Sequence, residues 1–196
     1  WKILRERSVQ MRLNPVSEGL ITHLRTRVSL ACFKDIEPKY LSEPRGLFHG
    51  VAGLVLAPKD VFEVSEIVRA CNKFRVAIIP YGGGTGLVGG QVSTDLPAPV
   101  ILSLERMKKI RDVDIKGNVI QVEAGCLLAS VQDAAADAGR LFPLSLASEG
   151  SCQIGGNLST NAGGVGVLRY GNARDLCLGI EALLPDGSIW NGLKKL

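Results

Sequence analysis

The chain has 196 residues, 46% hydrophobic and 21% charged, a composition typical of one soluble globular domain or of two small lobes. Its five cysteines are odd in number and form no C-x-x-C pair, which argues against a zinc site or a disulfide framework and predicts buried free thiols. The net charge of +4 comes from residues 1–45, where nine Lys and Arg face five Asp and Glu, so no basic nucleic-acid surface is predicted.

The N-terminal part is predicted to be a helical lead-in, residues 1–40, that precedes a main domain, residues 41–196. No apolar run approaches the roughly 18 residues of a membrane span, and the first thirty residues lack the apolar core of a secretory signal. Buried free thiols indicate a reducing compartment, so we expect a cytoplasmic protein. The first thirty residues are rich in Arg and poor in acidic residues, which makes the mitochondrial matrix the alternative. The sequence begins at Trp1, which makes Met11 a candidate natural start. Ser17 is predicted to start a helix over residues 19–30.

A β-α-β unit is predicted next. Residues 53–57 form a strand candidate, and Asp60 with Glu63 resembles a capping box at the start of a helix. The apolar positions that share one face of this helix are Val64, Ile67, Val68 and Cys71. Residues 76–79 form the following strand, so the unit implies a parallel pair.

The rest of the chain predicts a mixed α+β arrangement without repeats. Strands are expected at residues 100–104, 113–115 and 119–123, and Gly139 follows a helix over residues 127–138. A final hairpin joins residues 177–184 to 188–190 through Pro185-Asp186-Gly187. The last residues follow a strand and lead to no further element, so we expect the sequence to stop short of the complete domain.

Glycine is concentrated in two segments. Six of the nine residues from Gly82 to Gly90 are glycine, and the segment from Gly150 to Gly171 holds seven more of the chain's 23. Glycine loses more backbone entropy on folding than other residues, so packing alone gives no reason to concentrate it. Such a segment does offer backbone N–H groups to an anion. Two of them predict a long phosphate-bearing ligand, that is, a dinucleotide, with two structural turns as the plain alternative.

Two common phosphate-binding motifs fit the first segment poorly. Gly84-x-Gly86-x-x-Gly89 has the spacing of the NAD fingerprint, and Glu105 lies near the distance of a ribose-binding acid. That fingerprint must open a helix, whereas the sequence after Gly90 has two prolines and no helical period. A Walker A loop is excluded because Gln91 stands where it requires Lys.

Several motifs in fixed order are more specific. They are Pro80-Tyr81-Gly82-Gly83-Gly84-Thr85-Gly86, Val122-Glu123-Ala124-Gly125, Ile154-Gly155-Gly156-Asn157, Asn161-Ala162-Gly163-Gly164, Tyr170-Gly171 and Leu183-Leu184-Pro185-Asp186-Gly187. Together they resemble the FAD-binding lobe of the vanillyl-alcohol-oxidase/PCMH flavoprotein superfamily. Residues 40–47 and 141–146 are most similar to the D-2-hydroxyglutarate dehydrogenase and glycolate-oxidase-like group within it.

The resemblance implies an α+β fold of two subdomains with FAD between them. The diphosphate would be held by backbone N–H groups of Gly82, Gly83, Gly84, Thr85, Gly86, Gly89 and Gly90. The flavin and ribityl side would be lined by Pro143, Gly150, Ser151, Ile154, Gly155, Gly156, Asn161 and Ala162. Gly179 and Ile180 would border the adenine. Members with covalent flavin carry a His where this loop has Gly84, so the FAD is expected to be noncovalent.

The same resemblance implies a flavoprotein oxidoreductase that oxidises a 2-hydroxy acid, with an electron acceptor of unknown identity and a homodimer left open. Its proton-accepting His and metal ligands would lie beyond this lobe. His23 and His49 belong to no matching motif and are expected to be ordinary residues, as is Arg45. We therefore expect a lobe truncated before the substrate cap, without catalytic or metal-binding residues, which binds FAD without turnover. The alternatives are a flavin-carrying subunit of a multi-subunit oxidoreductase, or a remnant that no longer holds flavin.

Overall fold

The computed structural model describes residues 13–193, so the expectation for Met11 and those for residues 1–12 and 194–196 lie outside it. The helices are α1 (Glu18–Arg25), α2 (Val61–Phe74), α3 (Leu128–Asp137), α4 (Ile154–Ser159) and α5 (Val167–Tyr170). The strands are β1 (Phe33–Lys34), β2 (Leu54–Leu56), β3 (Ile78–Tyr81), β4 (Val100–Ser103), β5 (Ile110–Asp114), β6 (Val119–Val122), β7 (Glu181–Leu183) and β8 (Ile189–Asn191). Short 3₁₀ turns cover Leu30–Cys32 and Pro38–Tyr40.

A four-stranded sheet forms the first subdomain. Its order is β1-β2-β4-β3, with β2, β4 and β3 parallel and β1 antiparallel to β2. The two strands of the predicted β-α-β unit are therefore parallel but not neighbours, because β4 lies between them. Every residue of β4 is buried, as a central strand covered on both faces requires, whereas β3 is only partly buried and takes the edge.

Helix α2 follows the prediction closely. The carboxylate of Asp60 accepts the N–H of Glu63 at 2.9 Å, and Val64, Ile67 and Cys71 are buried. Glu63 does not return the bond to Asp60. It accepts instead the N–H groups of Ser29 at 2.9 Å and Lys59 at 2.8 Å. Burial by itself would raise the pKa of Glu63, but these donors outweigh it and lower that pKa.

Helix α1 starts where predicted, with the Ser17 hydroxyl accepting the N–H of Leu20, but it ends at Arg25 rather than near residue 30. Thr26 ends it by turning both its N–H and its hydroxyl onto the carbonyl of His23. Leu20 and Leu24 are fully buried in the core below the sheet. The lead-in thus shares its core with the sheet, and a domain boundary after residue 40 stays a prediction.

A second core gathers Leu128, Leu144, Cys152 and Ala173 around α3 and α4, which makes the chain an α+β protein of two subdomains. The predicted final hairpin is present as β7 with β8, and the strands expected at residues 113–115 and 119–123 pair with each other as β5 and β6. The second glycine segment is not the loop that its composition indicated, because it contains α4 and α5. No helix within residues 13–193 has the length and apolar character of a membrane span.

The cysteines are free, and four of them are buried: Cys32, Cys71, Cys126 and Cys152. Burial raises the pKa of Cys32 and of Cys71 to about 12, which leaves both thiols protonated and unreactive. The prediction of buried thiols is wrong for Cys177, which is only half-buried.

Candidate cofactor site

The first glycine segment is the connection between two neighbouring parallel strands. Tyr81 ends β3 and pairs with Ser103 at the end of β4, so residues 82–99 must return along the sheet before β4 begins. A crossover of this kind is usually a helix. Here it is an irregular, glycine-rich loop at the carboxyl end of β3, which we call the cofactor loop (residues 82–93 of the crossover).

The cofactor loop is shaped by left-handed backbone at two glycines and by one buried side chain. Gly84 has φ +70° and Gly89 has φ +75°, conformations that L side chains rarely adopt. The buried amide of Gln91 donates to the carbonyl of Gly86 at 2.7 Å and to that of Gly84 at 3.3 Å. Gln91 therefore has a structural role that the sequence did not indicate, because its side chain links two carbonyl groups of the loop.

Most backbone N–H groups of the cofactor loop have no acceptor in the described structure, although that of Val92 donates to the carbonyl of Gly89 at 3.1 Å. Within the part of the chain that the structure describes, no acceptor pairs with a backbone N–H from Gly82 to Gly90. Consecutive unpaired N–H groups in a segment that includes left-handed residues form a concave donor surface for an anion. Unpaired backbone N–H groups of this kind can donate to the oxygens of a phosphate group.

The two glycine segments meet. A Cβ added at Gly83 would overlap the carbonyl oxygen of Ser151 and come 3.0 Å from the Cα of Cys152. A Cβ at Gly82 would lie 3.6 Å from the Oε1 atom of Gln153. The absence of side chains at Gly82 and Gly83 thus lets the cofactor loop pack directly on the backbone that leads into α4.

A third segment holds α4 in place. The N–H of Gly155 donates to the carbonyl of Ala124 at 2.8 Å, and a Cβ at Gly155 would come 2.8 Å from that of Ala124. A side chain at Gly125 would in turn overlap the carbonyl of Leu104, just past β4. The motif Val122-Glu123-Ala124-Gly125 therefore joins the two subdomains through backbone contacts that only small residues allow.

Two buried amide atoms at this junction have no partner in the described structure, Oε1 of Gln153 and Nδ2 of Asn157. Their residues are 7% and 5% exposed, and an unpaired buried polar group costs roughly 1–3 kcal/mol. A Cβ at neighbouring Gly156 would meet nothing within 4 Å. An unpaired acceptor and an unpaired donor lie one helical turn apart here, and a polar ligand could complete their hydrogen bonding. Neither amide was among the predicted site residues, although Asn157 belongs to the motif Ile154-Gly155-Gly156-Asn157.

The other predicted residues are distributed more widely. Gly90 and Gly150 border open space. Asn161 has φ +50°, and its side chain accepts the N–H of Arg174, while the carbonyl of Ala162 accepts that of Ala173. Pro143 lines a shallow cleft of about 370 Å³ beside α3. Gly179 and Ile180 lead into β7, and the contacts described for them are with residues of the β7–β8 hairpin and its flanks.

Tyr81, at the end of β3, and Tyr40 pack against each other beside the start of the cofactor loop. Tyr81 donates its hydroxyl to the carbonyl of Lys39 at 2.8 Å and packs edge-on against Tyr40, with ring centroids 5.0 Å apart. Tyr40 donates to Glu105 at 3.1 Å, and burial followed by the charge of Glu105 raises the pKa of Tyr40. Glu105 also pairs with Lys34 at 3.5 Å. Both contacts of Glu105 are with side chains of the first subdomain, so its carboxylate is occupied there rather than free to bind a ribose.

Histidine, a common proton-transfer group and metal ligand, occurs at two positions. His23 packs on Phe74 at 5.7 Å between ring centroids, and His49 is exposed on a turn beside exposed Arg45. No three residues among His, Cys, Asp and Glu come together as metal ligands in residues 13–193.

The donor surface of the cofactor loop, the two unpaired amides and the space beside Gly156 fit a ligand with phosphates and polar ring edges. They define a cofactor-binding protein with an α+β fold of two subdomains. The family profile described as FAD binding domain matches residues 52–192. The chain belongs to this FAD-binding domain family, and FAD is the cofactor that the family binds.

Known proteins of similar sequence include D-2-hydroxyglutarate dehydrogenases. D-2-hydroxyglutarate dehydrogenase, mitochondrial, of Arabidopsis thaliana is 41% identical over 149 residues, covering 76% of this chain and 26% of the relative. The mitochondrial D-2-hydroxyglutarate dehydrogenase of Bos taurus is 38% identical over 163 residues, covering 83% and 29%. The chain thus spans less than a third of the length of these relatives. Among solved structures, alkyldihydroxyacetonephosphate synthase matches with a TM-score of 0.79 at 21% identity, covering 94% of this chain and 36% of that one, which shows a shared fold.

Proposed function

We propose that this chain is the FAD-binding portion of a flavin-dependent oxidoreductase that oxidises a D-2-hydroxy acid of the 2-hydroxyglutarate, lactate or glycolate type. The observation that carries the proposal is the meeting of the cofactor loop, with its unpaired N–H groups, and the segment before α4, with its two unpaired amides. The substrate class is supported by the similarity to D-2-hydroxyglutarate dehydrogenases.

Each part of the site has a role in holding the cofactor. Backbone N–H groups from Gly82 to Gly86, with Gly89 and Gly90, bind the diphosphate, because they are donors without acceptors. The amides of Gln153 and Asn157 pair with polar edges of the flavin or its side chain. The cofactor is noncovalent, because Gly84 stands where the family's covalent members carry a His.

Bound FAD supplies the acceptor for the two electrons of the alcohol oxidation. The residues described here bind and orient it, and bury one side of it. Within residues 13–193 they include no metal-binding cluster, and of the two histidines His23 packs on Phe74 while His49 is exposed. We therefore propose that these 196 residues bind FAD but do not turn over a hydroxy acid on their own.

The test has two parts on the same purified protein. FAD is titrated into the apoprotein and followed by quenching of flavin fluorescence, which should report a single site. D-2-hydroxyglutarate or D-lactate is then added with a redox dye, and no reduction above background is expected. A protein that never quenches flavin fluorescence contradicts the binding proposal, whereas robust dye reduction contradicts the proposed inactivity alone.

A point variant localises the site. Gly90→Val introduces a side chain where the protein itself has open space and no left-handed backbone, so we expect native stability and weaker FAD binding. Gly84→Val is a poorer probe, because residue 84 has φ +70° and a Cβ there would overlap the Tyr81 hydroxyl. If Gly90→Val leaves the FAD affinity unchanged, the diphosphate does not bind at this part of the loop.

The lack of a metal-ligand cluster within residues 13–193 also favours a second candidate, a flavin-carrying subunit whose partner supplies the catalytic residues. The two candidates differ in what restores turnover: a longer form of the same polypeptide or a separate protein. We further propose a mitochondrial rather than cytoplasmic location, supported by the mitochondrial designation of both relatives.

A further inference from the structure

A tight turn lies against residues 89–93 of the cofactor loop. Residues 42–51, which we call the strap, fold back through an antiparallel bridge between Ser42 and His49. The N–H of Gly50 donates to the carbonyl of Leu41 at 2.7 Å, which closes the turn. Most of the strap is exposed, so its own side chains provide little packing to hold it.

One buried side chain fixes the strap. Glu43 is 2% exposed, and its carboxylate accepts the N–H groups of Arg45 at 2.7 Å and Leu47 at 2.6 Å. Its own N–H donates to the carbonyl of Phe48 at 3.4 Å. Burial opposes the charge of Glu43, but the backbone donors outweigh it and lower the pKa of this carboxyl. The turn is therefore organised around one ionised carboxylate.

The strap touches the cofactor loop at two points. A Cβ at Gly89, where φ is +75°, would come 2.9 Å from Cγ of Phe48, so the Phe48 ring lies directly on this glycine. A Cβ at Gly50 would come 2.6 Å from the carbonyl oxygen of Ser93, and the N–H of Val51 donates to that carbonyl at 3.3 Å.

We propose that the strap holds the cofactor loop in its FAD-binding form, and that Glu43 is the positioning residue that fixes the strap through Phe48. The inference rests on the proposed function of the loop. A segment with six glycines in residues 82–90 has many accessible backbone conformations, and ordering it on binding would weaken affinity. Contacts with Phe48 and with the backbone at Gly50 restrict residues 89–93 before FAD arrives, and so reduce that cost.

The chain offers a matched control for this idea. Glu63 is also a buried carboxylate that accepts two backbone N–H groups, those of Ser29 and Lys59, but it lies at the start of α2 rather than on the strap. Glu43→Gln and Glu63→Gln each replace one charged acceptor oxygen by an NH₂ group facing a donor. Both variants lose a comparable set of bonds, and only the first should loosen the cofactor loop.

Two measurements follow. In the FAD-free protein, amide hydrogen exchange at Val51, whose N–H donates to the carbonyl of Ser93, and at Val92, whose N–H donates to the carbonyl of Gly89, should be several-fold faster in Glu43→Gln and unchanged in Glu63→Gln. The FAD dissociation constant should rise on the order of tenfold in Glu43→Gln and stay at the wild-type value in Glu63→Gln. Phe48→Ala should reproduce the Glu43→Gln effect, and the double variant should bind FAD no more weakly than Phe48→Ala alone.

Wild-type exchange rates at Val51 and Val92 in Glu43→Gln would overturn the inference, as would additive effects in the double variant. The exchange readout needs no cofactor, so it separates this inference from the proposed function. If exchange is faster but the protein never binds FAD, the strap and the cofactor loop are coupled, and the claim that this coupling strengthens FAD binding is refuted. Faster exchange with unchanged FAD affinity would refute the same claim while leaving the proposed function intact.

Discussion

Gly83 lies so close to the carbonyl group of Ser151 that no side chain fits between them. We expect Gly83→Ala to push the cofactor loop away from the segment before α4, because a backbone carbonyl cannot swing aside as a flexible side chain can. The free energy of unfolding should fall by about 1–3 kcal/mol, and FAD affinity should fall more than stability alone explains. Urea unfolding and FAD titration measure the two effects.

The control is Gly90→Ala, where the added methyl group meets nothing within 4 Å. Its stability should stay within about 0.5 kcal/mol of the wild type. Gly83→Ala with both wild-type stability and wild-type affinity would contradict the close approach of the two segments.

Gly156→Ala should separate stability from cofactor binding. Residue 156 lies inside α4, a Cβ there meets no protein atom within 4 Å, and alanine is favoured over glycine in a helix by up to about 1 kcal/mol. The apoprotein should therefore become more stable while its affinity for FAD decreases. Thermal unfolding with and without FAD tests both.

Gly19→Ala in α1 is the comparison, because its Cβ would make only an ordinary contact with Phe74 at 3.4 Å. It should stabilise the protein without changing FAD affinity. If Gly156→Ala behaves like Gly19→Ala, the space beside residue 156 does not hold the cofactor.

Glu63→Gln should be destabilising at neutral pH and neutral in acid. The pKa of Glu63 is lowered in the folded protein, so its contribution is complete above the ordinary glutamate pKa of about 4.3 and is lost as pH falls through the lower folded value. We expect a loss of about 2 kcal/mol at pH 7 that shrinks steadily below about pH 4, measured by urea unfolding across that range.

Glu66→Gln controls for charge on the same helix, because Glu66 makes only surface pairs with Arg27 at 3.6 Å and Arg69 at 3.7 Å. Its loss should be below about 1 kcal/mol. Equal losses in the two variants at pH 7 would mean that the backbone donors to Glu63 contribute little.

Cys177 should be the one cysteine that reacts quickly with a thiol reagent at pH 8. The other four are buried, and burial raises the pKa of Cys32 and Cys71 to about 12. One fast equivalent is expected in the native protein, and five after unfolding. Cys177→Ser should remove the fast equivalent, and a fast phase that survives this change would identify local opening at a buried site.

Much of the local structure could be predicted because short-range patterns determine it. The Asp60 cap, the buried face of α2, the end of α3 before Gly139 and the two hairpins all depend on residues close in sequence. Gly139 has φ +66°, which is the left-handed position expected after a helix.

Helix α4 could not be predicted, because adjacent glycines disfavour a helix locally. It forms where Gly155 packs on Ala124 and where Ile154 donates to the carbonyl of Cys126, contacts that only the folded chain provides. The central place of β4 also depends on long-range pairing. For the same reason the unpaired amides of Gln153 and Asn157 could not be predicted, because their burial and lack of partners depend on the core that surrounds them.

The position of β4 also bears on the order in which the protein can assemble during synthesis. β3 is paired only with β4, from Ile78 opposite Val100 to Tyr81 opposite Ser103. A growing polypeptide that has left the ribosome only as far as residue 99 has no template on which to fix β3. The cofactor loop therefore acquires its shape late, after the strand that follows it has left the ribosome, and a pause in translation once residue 103 has emerged would give β3 time to pair with β4.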